Sequence, residues 1–203
     1  MSELLMTPAP PETPPSPGVV VLGRFQPFHR GHALLLNAAN QWRRQSAPDL
    51  TLIIAIGSSN RDESLQNPWS AEERSEMIQS WVSEMDIQNV LIVSIPDIED
   101  PPNWVSHAEK YHGPAGVFFT SDAPSAELYM DAGWEVQTTS IEDRDSFEGW
   151  RVRETARMLS TIGNEEAVRS VLTQTVPSIV VDILIRNDAL RRLAFLGEGG
   201  EPV

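Results

Sequence analysis

Hydrophobic positions along the chain fall into short dense runs, separated by stretches in which apolar residues recur every three or four places. Val19–Leu22, Leu50–Ile56, Val90–Ile95, Gly116–Thr120 and Trp134–Thr138 are runs of the buried-strand type, rich in β-branched and aromatic residues. Between them the period changes. His32–Arg44 carries Leu35, Leu36, Ala39 and Trp42 at helical spacing, and Ser70–Met85, Trp104–Tyr111 and Ala123–Ala132 read as further helices. Ser70 with Glu73 three residues on is a capping-box pattern, which fixes where the second helix starts. From about Gly149 the strands stop, and Trp150–Ser160, Glu165–Thr173 and Pro177–Leu196 follow as consecutive helices.

Strands alternating with helices imply crossover connections and a parallel sheet covered on both faces. The expected class is α/β: a Rossmann-like, doubly wound, five-stranded parallel sheet with a helical C-terminal part. Residues 1–17 hold six prolines and no periodic pattern, so they read as a disordered extension, and residues 18–203 as the folded domain, its C-terminal helices starting at about 149.

Composition narrows the chemistry. The chain has no Cys, which removes disulfides, thiolate catalysis and Cys-ligated zinc, and suits a reducing compartment. No apolar run approaches the roughly 20 residues of a membrane span, and residues 1–17 lack the pattern of a secretory signal, so a cytoplasmic location is expected. A net charge of −14 opposes broad binding to nucleic acid or to an anionic membrane. A small anionic substrate needs only a local group of donors, and the chain offers one.

That group is Gly23-Arg24-Phe25-Gln26-Pro27-Phe28-His29-Arg30-Gly31-His32, between the first strand and the first helix. Ligands of open α/β sheets bind at the carboxyl ends of strands. Pro27 stiffens the turn, and Gly31 lets a ligand approach the backbone. His29 and His32 are three apart and face the same way on an opening helical turn, where free N–H groups and the helix dipole favour phosphate. Arg24 and Arg30 add positive charge. The alternatives are a metal pair or plain surface histidines; for zinc, only His107 and His112 remain as further imidazoles.

With its His-x-Gly-His core, the turn resembles the first signature of the nucleotidylyltransferase superfamily. Its longer form resembles the archaeal-type nicotinamide mononucleotide (NMN) adenylyltransferases. Gly57-Ser58-Ser59 with Asn67-Pro68-Trp69-Ser70-Ala71-Glu72-Glu73-Arg74 is similar to that family's second block. Ile95-Pro96-Asp97-Ile98 with Asn103-Trp104-Val105-Ser106-His107 is similar to its third. The likeness runs from Val19 to about Leu184.

The resemblance implies transfer of AMP from ATP to NMN, giving NAD and pyrophosphate, with Mg²⁺ held by the substrates and no metal site of the protein's own. It implies catalytic roles for His29, His32, Arg24 and Arg153. It places Gly23, Arg24, Phe25, Gln26, His29, His32, Gly149, Val152 and Arg153 at ATP, and Asp97, Asn103 and Trp104 at NMN, with Trp104 stacking on the pyridine ring. It also implies a homo-oligomer, commonly a hexamer. Arg74 is expected to serve structure near the second helix.

Two places depart from the family pattern. Where it carries Ser-Gly-Thr-x-x-Arg, this chain has Glu148-Gly149-Trp150-Arg151-Val152-Arg153, and Thr120-Ser121-Asp122-Ala123 stands in place of an Asn-Pro pair. Glu148 beside a triphosphate would repel it unless the carboxylate turns away. Two other readings therefore stay open: a nucleotidylyltransferase for another phosphate acceptor, such as a flavin or pantetheine phosphate, and a nucleotide-binding regulator without turnover.

Overall fold

The computed structural model describes residues 5–141 and 147–196. Five strands, β1 (Gly18–Gly23), β2 (Thr51–Ile56), β3 (Val90–Ser94), β4 (Val117–Thr120) and β5 (Glu135–Thr138), form one sheet in the order β3-β2-β1-β4-β5. Every pairing is parallel, with Val20 opposite Ile53 on one side and Phe118 on the other. The order reverses between β1 and β4, the switch point of a doubly wound sheet. The expected class and all five strands are therefore present. Successive residues of β1 and β2, Val19–Val21 and Leu52–Ile56, are all fully buried, as a sheet covered on both faces requires.

The chain divides into two compact units. The first holds the sheet, most of α1 (Arg30–Ser46), α3 (Trp104–His112) and α4 (Ala123–Asp131). Its core gathers Val20, Ile53, Ile95, Phe118, Tyr129 and Trp134, with the Phe118 and Tyr129 rings stacked at 3.7 Å. Arg43, buried on α1, donates to the carbonyls of Leu50 and Gln88 at 2.9 Å and so ties the helix to the turns that open β2 and β3. Residues 5–17, the described part of the Pro-rich stretch, carry neither helix nor strand. Their carbonyls nonetheless accept side-chain hydrogen bonds from this unit.

The second unit holds Phe25–Ala33, α2 (Ala71–Glu84), α5 (Gly149–Leu159), α6 (Glu165–Leu172), α7 (Ser178–Arg186) and a 3-10 turn at Arg191–Ala194. The capping box at Ser70 forms: its side chain accepts the Glu73 N–H, and Glu73 accepts the Ser70 N–H at 2.8 Å. Glu73 is further held by Arg192 through two bonds of 2.7 and 3.0 Å. Arg74 is buried and donates to the Ser70 carbonyl at 3.1 Å, a structural contact at the start of the helix.

One expected helix is corrected. Pro177–Leu196 is not continuous, because α7 ends at Arg186 and the chain turns through Asp188 at φ 49°. The Asp188 N–H bonds the Ile185 carbonyl and the Ala189 N–H that of Leu184, a Schellman closure. A short polar residue tolerates this left-handed position. The hydrophobic period runs on past the break and hides it.

Candidate active site

The chain leaves β1 at Gly23, whose carbonyl accepts the Gly57 N–H at 2.9 Å, and Arg24 follows exposed. Both belong to the first unit; the rest of the turn belongs to the second. Phe25 takes a left-handed φ of 53°, a conformation costing a non-glycine residue on the order of 1 kcal/mol. Packing holds it there: its ring is buried, edge-on to His32 at 4.7 Å and 6.1 Å from Phe28. Gln26 is spent on the scaffold. Its carboxamide donates to the Trp69 carbonyl at 2.8 Å and accepts the Trp69 N–H at 3.1 Å. Trp69 is itself buried, with Nε1 donating to the Ala189 carbonyl at 3.2 Å. The residues matched to the second block thus anchor the turn.

On that base His29 and His32 stack with ring centroids 3.6 Å apart, and the His29 N–H donates to His32 Nδ1 at 3.3 Å. His29 is 6% exposed, and its Nδ1 is buried without a hydrogen-bond partner among the described residues. A buried polar atom left in that state is costly unless a ligand engages it. Arg153 Nη1 donates to the Gln26 carbonyl at 2.9 Å. A methyl group built on Gly149 would lie 3.3 Å from Arg153 Nη1 and 3.9 Å from His29 Nε2, so the start of α5 adjoins the imidazole pair. The structure therefore brings together His29, His32, Arg153 and Gly149, around a helix start that favours anions. Val152 is buried one turn in and packs the helix.

Gly31 has a role the sequence did not reveal. A Cβ there would meet the Phe147 Cβ at 2.8 Å and the His29 ring at 3.1 Å, so the glycine makes room for the protein's own imidazole. Arg30 also turns to structure, with its guanidinium on the Thr173 carbonyl at 2.7 and 3.0 Å.

Electrostatics follow from burial. The pKa of His29 is pushed down to about 4, first by desolvation and then by Arg153. His32 is driven well below its usual value by desolvation and by His29. Both rings are neutral at pH 7. In the unfolded chain His29 takes a proton near pH 6.5, in the folded chain only near 4, so protonation favours unfolding between them. Stability from this group is complete above pH 6.5 and falls as pH drops toward 4, by about 3 kcal/mol. His32 and the buried His112 act in the same direction. The His29→Asn variant is expected to lose less stability than the parent between pH 7 and 4 in urea unfolding; parallel losses would contradict the burial of a neutral His29.

Glu148 does not confront this cluster alone. Its carboxylate accepts from Trp150 Nε1 and from Arg151 Nε, both at 2.9 Å, and the Arg151 guanidinium lies 4.6 Å over the Trp150 ring. The departure from the family pattern is a self-neutralising group on the first turn of α5.

In the first unit, Asp97 follows β3 and pairs with Arg61 Nε at 2.8 Å. Asn60 grips the Asp97 backbone, accepting its N–H at 2.7 Å and donating to its carbonyl at 3.1 Å. Trp104 opens α3, half-buried against the core, 5.8 Å from the His107 ring. His107 donates from Nε2 to the Pro96 carbonyl at 2.9 Å, which joins the Asp97 loop to α3. Asn103 lies exposed, with its amide on the Asp100 carboxylate at 2.7 Å. Asn60 and Arg61 do not stand out in the sequence. Their signal is a polar run after a buried parallel strand, at the end where sites form.

The cytidylyltransferase-like family model matches residues 20–134, more than half of the chain. The chain belongs to this family. Two of its relatives carry the name nicotinamide-nucleotide adenylyltransferase. That of Haloarcula marismortui is 30% identical, with 87% of this chain and 85% of the relative covered. That of Picrophilus torridus is 29% identical, with 89% and 98% covered. Among solved structures, a bifunctional NMN adenylyltransferase/ADP ribose pyrophosphatase from Francisella tularensis matches at a TM-score of 0.60 and 20% identity. It covers 88% of this chain, which spans about half (52%) of that protein. Plasmodium falciparum nicotinic acid mononucleotide adenylyltransferase matches at a TM-score of 0.52 and 10% identity, covering 87% of this chain and 98% of its own; both share the fold. The cytidylyltransferase-like span contains His29, His32, Asp97 and Trp104, whereas Gly149 and Arg153 lie beyond it. Among the described residues no helix is long and apolar enough to cross a membrane.

Proposed function

We propose that the chain transfers the adenylyl group of ATP to NMN, forming NAD and pyrophosphate. The observation that carries the proposal is the stacked His29–His32 pair beside Arg153 and the start of α5, with His29 Nδ1 buried and unpartnered among the described residues. Neutral imidazoles, a guanidinium and helix N–H groups are donors for phosphate oxygens. The kinship with archaeal enzymes of that name supports the acceptor.

The chemistry needs little beyond such donors. An oxygen of the NMN phosphate attacks the α-phosphorus of ATP in line; that P–O bond forms as the bond to the β-phosphate bridge breaks, and pyrophosphate leaves with the electron pair. A phosphate monoester has its second pKa near 6, so the nucleophile is already ionised at pH 7 and no general base is required. Catalysis then rests on positioning and on stabilising charge at the phosphorus. His29, His32 and Arg153 supply that stabilisation, and Arg24 and the backbone of Gly23–Gln26 line the nucleotide. Mg²⁺ enters only as a companion of ATP, since two imidazoles and a guanidinium do not suit a hard cation. It would spread the charge of the phosphate oxygens. The working form is a homo-oligomer in the cytoplasm, with no nucleic-acid or membrane partner.

At the acceptor end, Asp97, Asn103 and Trp104 receive NMN. The Trp104→Ala variant is expected to raise KM for NMN about tenfold, the scale of one lost stacking contact, while KM for ATP stays within twofold. Equal changes in both would remove Trp104 from the acceptor. The proposal as a whole is tested by pyrophosphate release with ATP, Mg²⁺ and a panel of NMN, flavin mononucleotide and pantetheine phosphate. Preference for NMN supports it. Preference for another acceptor sinks the choice of NMN, and ATP binding without release with any of them favours the regulator.

A further inference from the structure

The polar run after β2 meets the Pro-rich N-terminal segment at two side chains, Ser59 and Asn60. Asn60 Nδ2 donates to two carbonyls, Asp97 at 3.1 Å and Leu5 at 2.9 Å, while Asn60 Oδ1 accepts the Asp97 N–H at 2.7 Å. The carboxamide thus mimics a strand neighbour for the Asp97 peptide, satisfying both its polar groups. Two further bonds run alongside. Ser59 Oγ donates to the Thr7 carbonyl at 3.2 Å, and the Tyr111 hydroxyl to the Pro8 carbonyl at 3.0 Å. Farther along, the Pro15 carbonyl passes Gly113 so closely that a Cβ there would lie 2.1 Å from it. Prolines donate no N–H, so a Pro-rich segment is held by its carbonyls, and every handle used here is one. The Leu5 side chain is 77% exposed, so its backbone makes the attachment.

From this convergence we infer that Asn60 is a positioning residue for Asp97, and that residues 5–8 form a strap that closes over Asn60 and fixes its carboxamide. The strap leaves one orientation of the amide satisfied, because the group facing Leu5 must be a donor. The same orientation presents donor and acceptor correctly to Asp97. The consequence for NMN rests on the function proposed above; the effect on the Asp97 backbone does not.

Asn60→Leu is the discriminating change, since it keeps the size but removes both the acceptor for the Asp97 N–H and the donor to its carbonyl. Hydrogen exchange at the Asp97 amide, read by NMR without nucleotide, is expected to speed up about tenfold, the factor of one lost hydrogen bond. KM for NMN is expected to rise by a similar factor, with KM for ATP within twofold. Tyr111→Phe removes one strap bond from outside the site. It is expected to speed cleavage after Glu12 by a glutamate-specific protease severalfold while leaving the melting temperature in place. Unchanged exchange at Asp97 in Asn60→Leu, or equal changes in both KM values, overturns the role of Asn60. Unchanged cleavage in Tyr111→Phe overturns the strap. Faster exchange in a protein that never uses NMN would uphold the positioning role and sink the proposed function instead.

Discussion

His32→Ala is expected to lower turnover about 10²–10³-fold, the loss typical of removing one preorganised donor from a charged transition state. The reasoning starts from position. His32 sits in the first turn of α1 and stacks on His29 at 3.6 Å, and its Nδ1 accepts the His29 N–H. A hydrogen bond with the Pro27 backbone also holds the ring, and a neutral imidazole in that place offers one N–H donor. Its fold contribution is modest: its edge contact with Phe25 at 4.7 Å is one of several that hold that side chain. The check is paired, with initial rates of pyrophosphate release alongside thermal unfolding. A large loss of rate with little change in melting temperature is the expected pattern. Unchanged turnover would remove the imidazole from the chemistry.

Arg153→Gln carries the second large effect and a spectroscopic signature. Arg153 joins the start of α5 to the turn through the Gln26 carbonyl, and its charge helps to depress the pKa of His29. Glutamine can keep a neutral hydrogen bond but brings no charge. Efficiency with ATP, as kcat/KM, is expected to fall about 10²–10³-fold, since a charge-assisted donor to phosphate is lost. The pKa of His29 should rise from about 4, because a nearby cation no longer opposes its protonation. It should stay below 6.5, because desolvation is the larger cause. NMR titration of the ring protons in parent and variant gives both values. An unmoved His29 would mean that the guanidinium is not felt at the imidazole.

Much of this arrangement is legible in the sequence, for physical reasons. The central strands are continuous β-branched runs because both faces are buried, and Ser70 and Glu73 mark a helix start because their side chains answer each other's backbone N–H. The break at Asn187–Asp188 escapes detection because hydrophobic spacing continues past it, while the turn depends on one left-handed residue. His29 and His32 stand out by their spacing, and the fold stacks their rings. What spacing does not encode is division of labour: Gln26 is consumed by Trp69, Arg30 by Thr173, and Gly31 by the His29 ring. The first two are long-range contacts, and the third depends on how the His29 ring turns, so all three are visible only once the chain is folded. Glu148 shows the reverse case. As a sequence change it would repel a phosphate bound there, yet local bonds to Trp150 and Arg151 engage its carboxylate.

The most direct test follows the α-phosphate of ATP. With ATP labelled at that phosphorus, NMN and Mg²⁺, the label is expected to appear in a dinucleotide co-migrating with NAD, with one pyrophosphate released per dinucleotide formed. His32→Ala and Arg153→Gln should slow both products together. Label that stays in ATP, or that leaves as free AMP without entering a dinucleotide, would contradict adenylyl transfer to NMN.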